Sequence, residues 1–206
     1  MRTSQLVAVD CPQPMTYEEF LDWCDEDTLA EWVDGYVLMT SPASEPHQGL
    51  VDFLVKTLGI YVEQRDLGRI ISAPFQMKLV PARSGREPDI LFIAQEHVHR
   101  LKHTYLDGPA DLAIEVVSPE SRLRDRGEKL AEYEVSGIPE YWIFDPDEQR
   151  SDYYLLAPDG RYERKRPDNQ GIYRSAVVPG FWLKEEWLWR DPLPKALAVL
   201  HELGIL

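Results

Sequence analysis

The sequence has few cysteines and no long apolar run. Cys11 and Cys24 are its two cysteines, and their spacing matches no metal-ligand pattern, so we expect no disulfide framework and no cysteine-bound metal. Residues 1–14 contain no apolar stretch of signal-peptide length, and no later run is long enough to cross a bilayer. These absences predict a cytoplasmic protein without a membrane partner.

Basic residues are also scarce. The chain has 22 Lys and Arg against 36 Asp and Glu, which gives a formal net charge of -14 at pH 7. Broad electrostatic attraction to nucleic acid is not expected, because such binding normally uses a basic surface. A local basic groove is compatible with this total, although solvated faces are the commoner explanation for any one basic cluster. The clusters are Arg83 with Arg86, residues 100–103, residues 122–126 and residues 161–166.

The composition is that of a folded domain. With 206 residues, of which 44% are hydrophobic and 28% charged, the chain is long enough to bury a core as one domain over residues 1–206. Residues 1–15 read as a loose lead-in. The order of helices and strands predicts an α/β fold, a mixed sheet flanked by helices, with an N-terminal hairpin and C-terminal additions.

Local signals place the predicted elements along the chain. A helix is expected from Thr16 to about Asp25, because Thr16 and Glu19 have capping-box spacing. Asp34-Gly35 predicts a hairpin turn, and Gly68 is expected just past the end of a long helix. The remaining predictions are a helix at about 46–65, strands at 69–73, 75–80, 88–93 and 112–117, a loop at 81–87, a hairpin at 152–166 and a helix at 193–203.

Residues 111–145 carry the strongest functional clue. This stretch predicts a buried strand, a polar turn, one amphipathic helix and a second buried strand. Glu115 stands in the middle of the apolar run Leu112 to Val117. A buried carboxylate is costly unless it is paired, hydrogen-bonded or bound to a metal. Glu115 is therefore the first candidate for a functional residue.

A second carboxylate, Asp89, lies on the preceding predicted strand. If the two strands are neighbours, Asp89 and Glu115 converge, and two such carboxylates either share a proton or bind a cation. Mg²⁺ suits a few carboxylates with water and phosphate oxygens. On the following helix Asp125, Lys129 and Tyr133 are spaced four residues apart, in one row. That row predicts an ammonium group beside the carboxylates.

Simpler explanations apply to each of these residues. Asp89 has the spacing to cap a turn or to pair with Arg86, and Asp125 with Lys129 is an ordinary helix-surface pair. His47, at a helix start, is more often a capping or packing residue than a ligand, and Tyr133 is more often core than catalytic. Spacing alone suggests a functional site at these residues.

Short motifs follow one another along most of the chain. They are Tyr17-Glu18-Glu19-Phe20, Glu31-x-x-Asp34-Gly35, Ser41-Pro42-x-Ser44-x-x-His47, Pro88-Asp89-Ile90, Glu115-Val116-Val117-Ser118-Pro119, Asp125-x-x-x-Lys129-x-x-x-Tyr133, Gly137, Glu140-Tyr141-Trp142 and Asp145-Pro146. In order and spacing they resemble the PD-(D/E)XK, restriction-endonuclease-like superfamily. More narrowly, they resemble the bacterial Uma-two-type family of "putative restriction endonucleases". The resemblance covers residues 15–187.

The resemblance implies a restriction-endonuclease-like αβββαβ core and a set of roles. Asp89, Glu115 and Glu31 are implied as metal-binding carboxylates. The superfamily's lysine, expected two residues after the glutamate, is replaced by Val117, and Lys129 looks like its migrated substitute. The accessory positions implied are His47, Asp125, Tyr133 and Ser118, and the phosphate contacts are Arg122, Arg124 and Arg126.

The implied activity is hydrolysis of DNA phosphodiester bonds with Mg²⁺ or Mn²⁺ as the cofactor. A different class is an inactive or weak nuclease-fold module that binds nucleic acid or protein. Hydrolysis of another substrate by paired carboxylates is a third reading, because a fold does not determine a function; glycosidic hydrolysis would use a raised-pKa acid and no metal. The expected partner is DNA. The aromatic C-terminal half is expected to complete the core, and the sequence leaves a homodimer open.

Overall fold

The computed structural model describes residues 14–25, 28–39, 43–119 and 121–205. Its helices are α1 (Tyr17–Trp23), α2 (Glu45–Gln64), α3 (Arg122–Asp125), α4 (Glu128–Ser136), α5 (Glu185–Leu188) and α6 (Ala196–Glu202), with a 3-10 helix at Gln95–Arg100. The first seven strands are β1 (Ala30–Val33), β2 (Tyr36–Met39), β3 (Gly68–Ser72), β4 (Gln76–Leu79), β5 (Ser84–Arg86), β6 (Ile90–Ala94) and β7 (Tyr105–Asp107). The others are β8 (Leu112–Val116), β9 (Glu140–Asp145), β10 (Arg150–Leu156), β11 (Tyr162–Lys165), β12 (Ile172–Arg174) and β13 (Trp182–Lys184).

A six-stranded mixed sheet forms the centre of the molecule. Its strand order is β11-β10-β9-β8-β6-β3. β8 and β9 are parallel, whereas the other neighbours pair antiparallel. Every residue of β8 and β9 is buried, as their continuous apolar sequences predict for a sheet covered on both faces. The predicted α/β class, with a mixed sheet flanked by helices, is confirmed.

Two separate cores pack against this sheet. One contains residues of α2 and the C-terminal segments together with Trp142, Phe144 and Tyr153, so aromatic residues of the C-terminal half do complete the core. The other contains Ala113 and Val117 with residues of α4 and β9. Glu115 is two residues from each of them in the chain, so its side chain points to the same face. It therefore projects into the second core, as strand alternation predicts.

A five-stranded sheet, in the order β2-β1-β5-β4-β7, packs over that second core. It begins with the predicted hairpin, in which β1 and β2 pair antiparallel. Asp34 and Gly35 both have positive φ, at 48° and 94°, as a two-residue type I′ turn requires. The hairpin prediction is confirmed, and it places Glu31 of β1 over the face of the six-stranded sheet that carries Glu115.

The predicted capping box at the start of α1 is also confirmed. Glu19 N donates to Thr16 Oγ1 at 3.1 Å, and Thr16 N donates to Glu19 Oε2 at 2.7 Å. Just before it, Met15 is buried and its N–H donates to the Gly35 carbonyl at 3.0 Å. Of the predicted loose lead-in, residue 15 is thus packed, and residues 1–13 lie outside the described ranges.

The single helix predicted between β8 and β9 is wrong. The structure divides it into α3 and α4, with Gly127 in a non-helical conformation between them (φ -123°, ψ -86°). A Cβ at this position would lie 2.8 Å from the Leu123 carbonyl oxygen, which explains why glycine occupies the break. Arg122 and Arg124 therefore lie on a different helix from Lys129.

Three other boundaries differ from the prediction. The expected loop at 81–87 contains β5, which is held by pairing with β1 on one side and β4 on the other. Gly68 begins β3 instead of capping α2, since its φ of 147° brings the backbone close to Ile93. The last helix begins at Ala196 rather than Leu193, and Leu197 is 65% exposed rather than on the buried face. The first difference comes from pairing with distant strands, which local sequence does not encode, whereas Pro194 disfavours a helical conformation at Leu193.

Candidate active site

Glu115 lies near the end of β8, with only 4% of its surface exposed. Its Oε1 accepts hydrogen bonds from Lys129 Nζ at 2.9 Å and from the Tyr133 hydroxyl at 2.8 Å. These two residues are one turn apart on α4, so one face of the helix supplies both donors. Oε2 accepts no hydrogen bond within the described part of the chain and is available to a ligand.

Lys129 contacts carboxylates from three different elements. Besides Glu115, its Nζ lies 3.0 Å from Glu31 Oε1 of β1 and 3.5 Å from Asp125 Oδ1 of α3. Asp125 and Lys129 are 1% and 4% exposed, so the interpretation of this pair as an ordinary surface pair is wrong. The ammonium group therefore joins the two sheets and the α3–α4 segment at one point.

The charges of this cluster act strongly on one another. Burial raises the pKa of Glu115 well above its ordinary value, and Asp125, Asp89 and Glu31 raise it further, while Lys129 opposes them only in part. For Lys129, burial favours the neutral form, but Glu115, Glu31 and Asp125 outweigh it and raise the pKa above its ordinary value. The raised pKa favours the charged ammonium form of Lys129.

Glu31 is held differently from Glu115. Burial acts to raise its pKa, but Lys129 and Arg86 outweigh that effect and lower the pKa to about 2. Arg86 Nη1 donates to Glu31 Oε2 at 2.9 Å, and Glu87 N donates to Oε1 at 3.2 Å. Both oxygens of Glu31 are thus engaged by the protein. We conclude that Glu31 is an ionised anchor for Lys129 and Arg86.

Asp89 lies immediately before β6, the antiparallel neighbour of β8. Its Oδ2 accepts a hydrogen bond from Val116 N at 2.7 Å, and Oδ1 lies 3.3 Å from His47 Nε2. β6 and β8 are neighbours, which is the condition under which the sequence predicts that Asp89 and Glu115 converge. The alternative pairing of Asp89 with Arg86 is wrong, because Arg86 binds Glu31 and Glu132 instead.

His47 supports Asp89 from the other side. It lies in the first turn of α2, where Ser44 Oγ accepts the His47 N–H at 3.4 Å. Burial lowers the pKa of His47, but its contact with Asp89 outweighs burial, and the net effect is a raised pKa. His47 Nδ1 is buried and has no hydrogen-bond partner within the described residues. His47 is therefore placed to orient Asp89.

The other accessory position, Ser118, does not belong to the cluster. Its N–H donates to Ser121 Oγ at 3.0 Å, and its Oγ accepts from Ser121 N at 3.3 Å. These reciprocal bonds close the turn that leads into α3. Nothing in its described contacts points to a role beyond this local one.

The three arginines of the predicted phosphate contacts have different surroundings. Arg122 donates to both oxygens of Asp145, at 2.6 and 2.9 Å. Arg126 pairs with Asp145 at 2.9 Å and with Asp152 at 3.0 Å. Arg124 has no ion pair among the described residues; its Nε is buried without a partner, and its charge helps to lower the pKa of Glu31. Of these three arginines, Arg124 is thus the one without an ion pair in the described part of the chain.

The carboxylates of the cluster bear on whether it could hold a metal ion. Among the described residues, no three His, Cys, Asp or Glu side chains are arranged to hold one. Two carboxylates, Asp89 and Glu115, with water completing the shell, are a donor set of the kind that Mg²⁺ accepts. Burial, and then the charges of Asp125, Asp89 and Glu31, raise the pKa of Glu115, and a divalent cation beside it would stabilise the ionised carboxylate.

The chain is similar to known proteins in sequence and in fold. Residues 17–186 match the Uma2 family, described as "Putative restriction endonuclease". The chain belongs to the Uma2 family. A crystal structure of a "putative nuclease belonging to DUF820" from Anabaena variabilis superposes on the chain with a TM-score of 0.71 at 18% identity, covering 85% of this chain and 98% of the other. The two proteins share a fold, as the sequence predicts. No functionally curated protein is significantly similar to the sequence.

The Uma2 site also includes residues that sequence reasoning did not select. Arg86 is fully buried and bridges Glu31 to Glu132 of α4, with Nη2–Oε1 at 2.5 Å. Arg86 falls in a stretch predicted as a loop, and its partners are distant in sequence, so no spacing rule indicated the contact. Within the described ranges of this Uma2 protein, no helix is both long and apolar enough to span a bilayer.

Proposed function

We propose that this Uma2 protein is a metal-dependent endonuclease that hydrolyses phosphodiester bonds of DNA. The observation that carries the proposal is the contact of the buried Lys129 ammonium with Glu115, at 2.9 Å, on a strand paired with β6, which Asp89 immediately precedes. A cation and carboxylates at one place are the groups that metal-assisted phosphoryl chemistry uses. Membership of the Uma2 family supports a nuclease function.

In this proposal Asp89 and Glu115 hold Mg²⁺ or Mn²⁺. When bound, the ion supplies Lewis-acid polarisation of a phosphoryl oxygen and lowers the pKa of an attacking water. The Tyr133 hydroxyl and Lys129 both occupy Glu115 Oε1 and leave Oε2 for the ion. Glu31, first considered as a third metal ligand, is assigned the holding of Lys129, since two cationic side chains, Lys129 and Arg86, already contact its oxygens.

Lys129 supplies positive charge where negative charge develops on the phosphate. Three carboxylates fix its position, so no reorganisation is needed when charge develops. Because its pKa is raised, it stabilises the transition state as a cation and takes up no proton. His47 holds Asp89 through the 3.3 Å contact, which keeps that carboxylate directed towards the site.

Asp89→Asn is expected to reduce DNA cleavage about 100-fold or more, because the charge that helps to bind the metal is lost. Plasmid DNA would be incubated with the unsubstituted protein and the variant in Mg²⁺, in Mn²⁺ and with a chelator. The Asn side chain still accepts the Val116 N–H, so circular dichroism should show an unchanged fold. Equal cleavage by both proteins, or cleavage that resists the chelator, would contradict the proposed site.

Two observations favour the second candidate function, a nuclease-fold module that binds nucleic acid or protein without cutting. Three carboxylates already surround Lys129, and the described residues hold no three-ligand metal group. Calorimetric titration with Mn²⁺ separates the two functions. Binding that is lost in Asp89→Asn supports the endonuclease; absence of binding, together with absence of cleavage, supports the binding module.

Arg124→Ala is expected to raise KM for DNA about tenfold with little change in kcat, since a charge-assisted hydrogen bond to phosphate contributes roughly 1.5–3 kcal/mol. The reason is that, of Arg122, Arg124 and Arg126, only Arg124 has no acidic partner in the described structure. Steady-state cleavage kinetics would measure the effect. Arg161→Ala is the matched control, because Arg161 is an exposed arginine paired with Glu134. An equal KM for the two variants would exclude Arg124 as a phosphate contact.

A further inference from the structure

A group of arginines surrounds one buried carboxylate beside the proposed site. Asp152 of β10 is fully buried, and it pairs with Arg126 at 3.0 Å, with Arg150 at 3.1 Å and with Arg164 of β11. The side chains of Arg150 and Arg164 are 43% and 44% exposed. We call Arg126, Arg150 and Arg164 the arginine fan. One internal aspartate thus orients two guanidinium groups at the surface.

The fan carries more positive than negative charge. Asp152 contacts three arginines, and one of them, Arg126, is shared with Asp145. Two further acids, Asp147 and Glu148 of the turn between β9 and β10, contact Arg122 rather than the fan, at 3.5 and 3.7 Å. The excess positive charge therefore lies at Arg150 and Arg164. In a protein of net charge -14, this is a local cationic surface.

The register of the six-stranded sheet places the fan on the same face as Glu115. Glu115 is paired with Ile143 of β9, and Ile143 is paired with Asp152 of β10. Residues directly opposite each other in neighbouring strands point to the same face. Two strand spacings separate Glu115 from Asp152, about 10 Å. The α3 segment links the two places. Its Asp125 contacts Lys129, the partner of Glu115, and the adjoining Arg126 pairs with Asp152.

We propose that Arg150 and Arg164 bind phosphates of the DNA backbone two to four nucleotides from the bond that is cleaved. This inference rests on the proposed endonuclease function and names a second contact for its substrate. A distance of about 10 Å corresponds to the rise of roughly three nucleotides along one strand. Guanidinium groups bind phosphate oxygens in a fork geometry, and contacts of this kind position the duplex without reading its bases. Asp152 orients both groups before binding, which lowers the entropy cost.

The test compares two double variants of equal charge. Arg150→Ala with Arg164→Ala removes the exposed members of the fan, while Asp152 keeps Arg126 as its partner. Arg83→Ala with Arg174→Ala is the control, because those arginines are also exposed and each pairs with one acid, Asp34 and Asp168. Binding of a fluorescent 20-base-pair duplex would be followed by anisotropy, without divalent metal, over a series of salt concentrations. The fan variant should bind at least about tenfold more weakly, with a salt slope smaller by about 1.8 for two lost phosphate contacts.

Hydrolysis of bis(p-nitrophenyl) phosphate gives an independent readout. This compound has a single phosphodiester and does not extend to the fan, so the fan variant should hydrolyse it as fast as the control does. Equal salt slopes for the two double variants would overturn the inference, and so would an equal loss on both substrates, which would mean that the arginines support the site structure. If the unsubstituted protein hydrolyses neither substrate, the endonuclease proposal fails, whereas the binding slopes still decide the role of the fan.

Discussion

Glu115→Gln is expected to reduce DNA cleavage about 100-fold or more and, at the same time, to raise thermal stability. The loss of cleavage follows from removing a charged metal ligand from the proposed site. The gain in stability follows from the raised pKa of Glu115, since a glutamine is neutral and avoids the cost of a buried charge. Lys129 keeps two carboxylate partners, Glu31 and Asp125. A residue retained for function at the expense of stability gives this combination.

The stability difference should depend on pH in a defined direction. Because the folded-state pKa of Glu115 lies above the ordinary value of 4.5, the folded protein binds more protons than the unfolded chain between those two values. The contribution of Glu115 to stability therefore falls as the pH rises above about 4.5. The glutamine variant lacks this dependence, so its advantage in Tm should be larger at pH 8 than at pH 5, at about 2–4 °C for each kcal/mol.

Thermal denaturation of both proteins at the two pH values would measure this difference. Glu63→Gln provides the control, because Glu63 is exposed on α2. That substitution should change neither cleavage nor the pH dependence of Tm. If Glu115→Gln lowers stability at pH 8, the buried carboxylate is fully compensated in the folded protein, and the view that it is kept for chemistry is wrong.

Lys129→Met is expected to destabilise the protein by about 3–5 kcal/mol and to abolish cleavage. The substitution leaves Glu115, Glu31 and Asp125 buried without their shared cation, and breaking a buried ion pair in this way has a cost of about that size. The exposed Lys56, which pairs with Asp52 at the same i,i+4 spacing, gives a closely matched control. Lys56→Met should cost only about 0.3–0.5 kcal/mol. Urea denaturation would measure both free energies of unfolding.

A double variant identifies the cause of the destabilisation. Combining Lys129→Met with Glu115→Gln removes one uncompensated carboxylate, so the pair should be more stable than Lys129→Met alone, by roughly 1–3 kcal/mol of coupling. Cleavage should stay abolished even though stability is partly restored. Single-variant effects on stability that simply add, or a Lys129→Met protein no less stable than Lys56→Met, would show that the cluster does not depend on this ammonium group.

Strong local signals predicted much of the fold. The Asp34-Gly35 turn, the Thr16 capping box and the apolar strands around Glu115 each rest on neighbouring residues, and each has the expected structure. The break at Gly127 was not predicted, because the helical spacing of polar and apolar residues continues across it. β5 was missed for a related reason. Its three residues have no strand pattern, and pairing with β1 and β4 holds them in place.

The site was predictable in part. The apolar setting of Glu115 and the helical row that contains Lys129 indicated that these residues matter, and the structure brings them into contact. The position of Glu31 beside Lys129 depends on how two sheets pack, and periodicity along one strand carries no such information. The buried Arg86 and the fan around Asp152 escaped notice for the same reason, since their partners are far away in the chain.

The position of Lys129 in the chain has a consequence for biosynthesis. Glu31, Asp89 and Glu115 leave the ribosome before Lys129, and α4 and β9 follow them. Until α4 has been made, Glu115 lacks both of its hydrogen-bond donors, Lys129 and Tyr133, and burying its carboxylate is unfavourable. The fan, on β10 and β11, is made later still. A nascent or prematurely terminated chain that lacks α4 therefore cannot assemble the proposed site.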